Sequence, residues 1–160
     1  MTQPNLPAEN VWEYPRPPQL ESVKSTIKII HQQHTIACTD NAFRVLETAH
    51  PPTYYLPPDD IKMEFLIPNK HRSFCEWKGM AHYFDFCMFD KKIINVAWAY
   101  GNPVATFKAI TGYLAFYASK LEECWVGGEK VASQAGDFYG GWITKNLTGP
   151  FKGEVGTQGW

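Results

Sequence analysis

The segment CEWKG, residues 75–79, carries the side chains best suited to chemistry in this chain. In an extended backbone Cys75 and Trp77 share one face, and Glu76 and Lys78 share the other. A lysine shielded from water by aromatic rings can act as a base or nucleophile, and a cysteine beside a cation is a candidate nucleophile. We therefore assign Lys78 and Cys75 as candidate catalytic residues. The alternative is structural, with Lys78 lying along an aromatic ring, Glu76 balancing its charge, and Cys75 and Trp77 in the core.

A second group of polar residues precedes a run of tyrosines. Arg44 and His50 supply hydrogen-bond donors for an anion, Glu47 can orient one of them, and the two prolines after His50 hold its backbone extended. Aromatic residues with a few convergent polar groups are typical of small-ligand sites. The aromatic residues that we assign to this pocket are Tyr54, Tyr55, Trp77, Tyr83, Trp98 and Tyr100. The alternative is an Arg44–Glu47 ion pair beside a tyrosine-rich sheet face.

The elements that position these residues are mostly strands. Alternation of apolar and polar residues over 23–29 and 63–67 predicts two half-buried strands, the second ended by Pro68. Residues 80–89 and 92–100 predict a hairpin around Asp90-Lys91, with Tyr83 opposite Trp98 and Asp85 opposite Val96. Residues 123–126 and 129–131 predict another hairpin around a Gly-Gly pair.

One segment has helical spacing instead. Asn102 is a good N-cap, Pro103 a good first helical residue, and apolar residues then recur in steps of three and four. Those apolar residues are Val104, Phe107, Ile110, Leu114, Tyr117 and Leu121. The sequence therefore predicts one amphipathic helix over about 102–119, packed on a mainly β domain of antiparallel sheets.

Proline and glycine divide the chain into three parts. Ten of the twelve prolines lie at or before Pro68, and no glycine occurs before Gly79. We expect a single domain over 1–160, with a proline-rich extended arm at 1–20, a β core with the helix at 21–135, and a glycine- and aromatic-rich wrap at 136–160.

Several strings resemble a known family. SFCEWKGMAHYF at 73–84, RVLETAHPPTYYLP at 44–57, AWAYGNP at 97–103 and the glycine-aromatic end at 136–160 closely resemble domain of unknown function family 427. The resemblance implies a β-tent, in which two β-sheets meet at an angle, and it also carries a nucleotidyltransferase-like label. Relatives in this fold often hold zinc on two C-x-x-C pairs, which this sequence lacks.

Composition limits the partners. Fifteen basic and sixteen acidic residues nearly cancel, so we expect no nucleic acid and no membrane partner. The polar, proline-bearing start lacks a signal-peptide core, which favours a cytoplasmic location with reduced cysteines. We expect no metal, because His31 and His34 are three apart in a strand or turn. The sequence identifies no cofactor.

The leading hypothesis is a domain that binds a small planar or anionic ligand in an aromatic pocket, with turnover left open. One alternative is a noncatalytic module for protein interaction or self-association through the proline-rich arm and the C-terminal segment. The other is nucleotidyl transfer, which needs two or three carboxylates around magnesium and a phosphate cradle. Asp59-Asp60 and the pair Asp85 and Asp90 lack that arrangement, and no G-x-x-x-x-G-K loop occurs.

Overall fold

The computed structural model describes residues 6–135 and 138–154, and strands dominate it. The first seven strands are β1 (Glu9–Asn10), β2 (Gln19–Ser22), β3 (Ile27–His31), β4 (His34–Thr39), β5 (Phe43–Leu46), β6 (Thr53–Tyr55) and β7 (Leu66–Cys75). The others are β8 (Gly79–Met88), β9 (Lys91–Tyr100), β10 (Leu114–Phe116), β11 (Glu123–Val126), β12 (Glu129–Lys130), β13 (Ala132–Ser133), β14 (Trp142–Ile143) and β15 (Leu147–Thr148). Short 3₁₀ helices occupy Val11–Glu13, Pro58–Asp60, Met63–Phe65, Ala105–Ile110 and Ala118–Lys120. The prediction of a mainly β fold with antiparallel sheets is confirmed.

Two four-stranded antiparallel sheets enclose the main core. One has the order β10-β9-β8-β7 and the other β12-β11-β3-β4. Ile27 and Ile29 of β3 alternate with exposed Lys28, so one face of that strand is apolar. They pack into one buried cluster with Phe86 and Val96 from the other sheet.

The β8–β9 hairpin is covered on its other face as well. Tyr83, Trp98 and Tyr100 belong to a second buried cluster, which also contains Tyr55 of β6 and Phe107 of a 3₁₀ helix. Because both faces of β9 are covered, residues 96–100 are all buried and lack the alternation of a half-exposed strand. This second cluster forms the base of the candidate site described below.

The register of that hairpin is partly as predicted. Tyr83 does lie opposite Trp98, but the two turn residues are Phe89 and Asp90, whose φ values of 50° and 64° suit a tight primed turn. The Asp85–Val96 pairing is wrong, because β9 has a bulge between the partners of Phe84 and Phe86. The buried Asp85 carboxylate holds that bulge by accepting the Asn95 backbone N–H at 2.9 Å.

The predicted helix over 102–119 is wrong in type and length. The segment contains a 3₁₀ helix only at Ala105–Ile110, and β10 follows it, paired with β9. Gly112 has a φ of 76°, which an α-helix does not permit. The backbone of Leu114 donates a hydrogen bond to the Leu56 carbonyl at 2.9 Å and accepts one from the Leu56 N–H at 2.8 Å. Hydrogen bonds to neighbouring extended segments therefore determine the conformation of Leu114. Helical spacing arose because Phe107 and Ile110 are buried in one element and Leu114 in the next.

Other boundaries also differ from the predictions. Residues 23–26 precede β3, and Met63–Phe65 is a 3₁₀ turn before β7. Pro68 does not end the strand, because β7 is an edge strand with a bulge immediately after Pro68. The hairpin of β11 and β12 around Gly127-Gly128 is confirmed.

The two ends of the described chain meet. The short strand β1 pairs in parallel with β15, and Trp12 Nε1 donates a hydrogen bond to the Pro150 carbonyl at 3.0 Å. Trp142 is 1% exposed and donates through Nε1 to the Phe116 carbonyl at 3.0 Å. Gly136, Asp137 and residues 155–160 of the predicted wrap lie outside the described residues. No helix in the described part of the chain is long and apolar enough to span a membrane.

Candidate functional site

A cavity of about 250 Å³ lies between the β7–β8 hairpin, β9, the β5–β6 region and the chain before β14. Nine of the eleven residues predicted for the site line it: Glu47, His50, Tyr55, Cys75, Trp77, Lys78, Tyr83, Trp98 and Tyr100. Two motifs separated in sequence thus meet at one cavity. The second buried cluster forms its aromatic base.

Lys78 enters the cavity from the turn between β7 and β8. Its backbone N–H donates to the Cys75 carbonyl at 3.3 Å, and its own carbonyl accepts from Val104 at 3.0 Å. The residue is 8% exposed, and Nζ lies 5.9 Å from the ring centre of Tyr100 and 5.7 Å from that of Phe107. These distances correspond to cation–π contacts, so the rings support a charged lysine.

The charge of Lys78 is kept without a close carboxylate. Burial alone lowers the pKa of this ammonium, but interactions with Tyr55, Cys75 and Glu47 outweigh burial, and the pKa is raised above its ordinary value. Lys78 is also hydrogen bonded to Cys75. Among the described residues no carboxylate oxygen lies within 4.0 Å of Nζ. Lys78 is therefore an ammonium at neutral pH, which suits it to holding an anion better than to acting as a base.

His50 is a second titratable residue of the cavity lining. Burial, followed by the charges of Lys152, Arg16 and Lys78, lowers the pKa of its imidazole to about 4. The ring packs edge-on to Tyr139, with centres 4.8 Å apart. His50 is therefore neutral at physiological pH.

The carboxyl group of Glu47 lies near His50, with its Oε2 4.0 Å from His50 Nε2. Burial raises the pKa of Glu47 above its ordinary value, although Lys78 and Arg16 oppose the shift. A carboxyl group that takes up a proton readily can remain beside a bound anion at a lower electrostatic cost.

Tyrosine hydroxyls form the rest of the polar lining. Tyr55 is 1% exposed and hydrogen bonded to Trp98 and Tyr100. Tyr83 exchanges a 2.9 Å hydrogen bond with Ser73. These bonds hold the rings in fixed orientations, so the cavity has rigid, flat walls.

Gly140 lines the cavity, and Gly141 follows it in the chain. A Cβ on Gly140 would lie 2.2 Å from the Trp98 ring, and one on Gly141 would lie 2.5 Å from the Pro51 carbonyl oxygen. Only glycine therefore allows this chain to cross so close to the indole.

Sequence reasoning missed the lining residues Gln134, Phe138, Tyr139 and Gly140, which we call the closing segment. The Gly-Gly pair among aromatics was the available signal, but nothing local indicated which indole it covers.

The structure does not place Arg44 and Tyr54 at this cavity. Arg44 binds Glu9 through both terminal nitrogens at 3.1 and 2.8 Å, and its Nε donates to Glu21 at 2.8 Å. Tyr54 is buried and stacks on Trp142, with ring centres 5.3 Å apart. The alternative Arg44–Glu47 pair does not form either, because Glu9 and Glu21 occupy the guanidinium.

The comparison with protein families matches domain of unknown function family 427, DUF427, over residues 19–127. The chain belongs to this family. All nine predicted lining residues fall within the span that matches family 427, whereas Gln134 and Gly140 of the closing segment lie beyond it. The family model also bears a nucleotidyltransferase label. No curated protein matches the chain.

The described residues contain no group of three or more histidine, cysteine or acidic side chains arranged to hold a metal ion. His31 and His34 face each other across the two-residue turn between β3 and β4. The His31 ring accepts a hydrogen bond from the Glu122 backbone N–H at 3.2 Å, and the His34 ring packs against Phe89.

Proposed function

We propose that this protein binds a small, flat anionic ligand in the cavity, with Lys78 as the counter-ion. The observation that carries the proposal is a buried ammonium, 8% exposed, with no carboxylate among the described residues within 4.0 Å. The aromatic rings, Cys75 and Glu47 keep this lysine charged without a close carboxylate, so its positive charge is available to the anion of a ligand. The cavity beside Nζ is where such an anion fits.

The walls and the volume indicate the shape of the ligand. Tyr55, Tyr83 and Trp98 present ring surfaces held by hydrogen bonds, and flat rings pack best against a flat body. A volume of about 250 Å³ lies just below the range of about 300–1,000 Å³ typical of drug-sized ligands. A single-ring carboxylate is therefore the class of ligand that we favour.

Benzoate and benzamide form a matched pair of probes for this site, because they share a shape and differ in charge. We expect benzoate to bind about tenfold or more tightly, a difference of about 1.4 kcal/mol, because only benzoate pairs with the ammonium. Isothermal titration calorimetry at pH 7 measures both affinities.

Two lysine variants complete that experiment. Lys78→Met should abolish the preference for benzoate, whereas Lys62→Met, at an exposed position outside the cavity lining, should keep it. Equal affinities of the two probes in the wild-type protein, or a preference that survives Lys78→Met, would contradict the proposal.

Turnover of the bound ligand is a separate proposal, in which Cys75 is the nucleophile. Its side chain lines the cavity and is hydrogen bonded to Lys78. Cys75→Ser should then retain benzoate binding and lose any turnover, since a hydroxyl keeps the hydrogen bond but is a weaker nucleophile. Unchanged turnover in this variant would remove Cys75 from the mechanism.

The nucleotidyl transfer suggested by the family label makes a different prediction. Magnesium ATP should then raise the melting temperature at millimolar concentration, because binding to the native state stabilises it. Under the anion-pocket proposal we expect no shift, since the triphosphate nucleotide is larger than the cavity.

A cytoplasmic location is part of the proposal as well. The four cysteines, Cys38, Cys75, Cys87 and Cys124, are all free thiols. Free thiols are typical of reducing compartments. Fractionation of cells producing the tagged full-length chain tests this location.

A further inference from the structure

Gln134 has a fully determined set of hydrogen bonds next to the cavity. Its Nε2 donates to the Lys152 carbonyl at 2.7 Å and shares a 3.1 Å contact with His50 Nδ1. Its Oε1 accepts the Gly141 backbone N–H at 3.0 Å. The residue is 3% exposed, so water does not replace these partners.

The two backbone partners leave one orientation for the amide. A carbonyl oxygen only accepts and a backbone N–H only donates, so the NH₂ group must face Lys152 and the oxygen must face Gly141. The second N–H of Gln134 then points at His50 Nδ1. Because that nitrogen receives a hydrogen, it must carry the lone pair.

The proton of the neutral imidazole is therefore on Nε2, the other ring nitrogen. Among the described residues, the charged and titratable groups that act on or contact this ring are Lys152, Arg16, Lys78, Glu47 and Tyr139. The three cations, together with burial, lower the pKa of His50 to about 4 and keep it neutral. His50 and Glu47 both line the cavity, and Nε2 is on the Glu47 side of the ring.

We propose that Gln134 is a positioning residue for ligand specificity: through His50 it presents an N–H donor to the cavity, which with Lys78 selects a carboxylate ligand. This inference rests on the proposed anion site and names the determinant of its selectivity. A ligand that offers only hydrogen-bond donors would face the His50 N–H and the Lys78 ammonium without an acceptor for either, and would be rejected.

Gln134→Glu replaces the amide N–H donor by a carboxylate oxygen, with almost no change in the shape of the side chain. A carboxylate still accepts from Gly141 but has no hydrogen for the Lys152 carbonyl or for His50 Nδ1. The imidazole proton must then move to Nδ1, or a second proton must bind to the ring. Ser133→Glu is the matched control, because it adds the same charge at an exposed neighbouring position.

Nitrogen-15 NMR of the imidazole rings measures the tautomer and protonation state of His50 directly and needs no ligand. In the wild-type protein we expect the Nε2–H form of His50 from pH 5 to 8, with the resonance assigned through its contact with the Tyr139 ring. Gln134→Glu should convert it to the Nδ1–H or doubly protonated form, and Ser133→Glu should not. An Nδ1–H or doubly protonated His50 in the wild-type protein at pH 6 would overturn the inference, whether or not the variant folds.

Benzoate affinity separates this inference from the proposed function. Where NMR shows the Nδ1–H form in Gln134→Glu, we expect this variant to weaken benzoate binding about tenfold or more and Ser133→Glu to weaken it less than about threefold, because only loss of the Nε2 hydrogen removes the donor. An equal loss in both variants would overturn the role in specificity. If the wild-type protein fails to bind benzoate while His50 has the expected tautomer, the proposed anion site fails and the Gln134–His50 arrangement stands.

Discussion

Lys78 is a buried cation and Arg44 a half-buried one, and their surroundings differ. Arg44 NH2 lies 2.8 Å from Glu9 and 2.7 Å from Glu21, and Tyr14 also donates to Glu9, at 2.5 Å. Lys78 has aromatic rings and a thiol around it, and no carboxylate of the described chain within 4.0 Å. We call the first group, Glu9, Tyr14, Glu21 and Arg44, the arm clasp.

Under the proposed function, the difference separates a structural cation, Arg44, from a ligand-binding cation, Lys78. Burial alone lowers the pKa of Arg44, but its hydrogen bond to Glu9 outweighs burial and raises the pKa above its ordinary value. In the arm clasp the fold itself supplies the anions, and the result is a link between the N-terminal arm and β5. At Lys78 the fold supplies a cavity, and the proposed function places the anion of a bound ligand there.

The largest expected effect is loss of the arm-clasp cation. Arg44→Met leaves the carboxylates of Glu9 and Glu21 facing each other, and removing one partner of a buried pair costs about 3–5 kcal/mol. We expect urea denaturation at pH 7 to show a loss near the lower end of that range, since Glu21 is half-exposed. A loss below about 1 kcal/mol would mean that the arm clasp is no more than a surface ion pair.

The pH interval in which acid lowers the stability of the protein should differ between His50 in the cavity and Glu9 in the arm clasp. The pKa of His50 falls from 6.5 to about 4 on folding, so the unfolded chain takes up this proton first and stability is lost as the pH falls through that interval. The full shift corresponds to about 3 kcal/mol. The pKa of Glu9 is also lowered on folding, by hydrogen bonds to Arg44 and Tyr14 that outweigh burial, so its contribution is lost only below its ordinary value of 4.5.

Stability curves of His50→Gln measure the first of these windows. Between pH 6.5 and 4 the variant should lose less stability than the wild-type protein, and below that interval the two should run in parallel. If the two curves have the same slope between pH 6.5 and 4, His50 titrates normally in the folded protein.

The closing segment of the cavity, at Gly140, should tolerate an added Cβ less well than the open turn at Gly128. Gly140→Ala places a Cβ 2.2 Å from the Trp98 ring, and overpacking of this kind costs about 1–3 kcal/mol. Gly128→Ala is the matched control, because nothing lies within 4 Å of its Cβ. Thermal unfolding of both variants measures the contrast, and equal melting temperatures would show that this segment does not press on Trp98.

The smallest effect on stability is expected at Lys78. Lys78→Met leaves no carboxylate unpaired within 4.0 Å and keeps the contacts of the side-chain stem with the aromatic rings, so we expect a change within about 1 kcal/mol. The same variant should lose benzoate binding. A loss of stability as large as that of Arg44→Met would make Lys78 a structural cation like Arg44.

Much of the site was predictable because residue type is local information. The chemistry of Lys78, Cys75 and His50 is a property of their side chains, and the pairing of Tyr83 with Trp98 follows from hairpin geometry. The β11–β12 hairpin was predictable for the same reason, since Gly127-Gly128 suits a tight turn regardless of what surrounds it.

Which polar groups neutralise one another follows from the fold and not from local sequence. Arg44 is six residues from His50 in sequence, yet its partners are 35 and 23 residues away, on β1 and β2. Gln134 reaches His50 across 84 residues. Neither contact leaves a local pattern, because a hydrogen bond between distant side chains places no demand on the residues next to either of them.

Local patterns were enough to predict a mainly β chain, because alternation and turn chemistry act over a few neighbouring residues. Residue type was enough to predict a set of cavity residues. The tertiary structure decided that Leu114–Phe116 forms a strand, because the free edge of β9 and the backbone of Leu56 offered hydrogen bonds that outweighed helical spacing. It also decided which buried cation was left without a carboxylate. Whether a buried cation has a carboxylate partner depends on which chain segments meet around it. The segments that meet around Lys78 form a cavity.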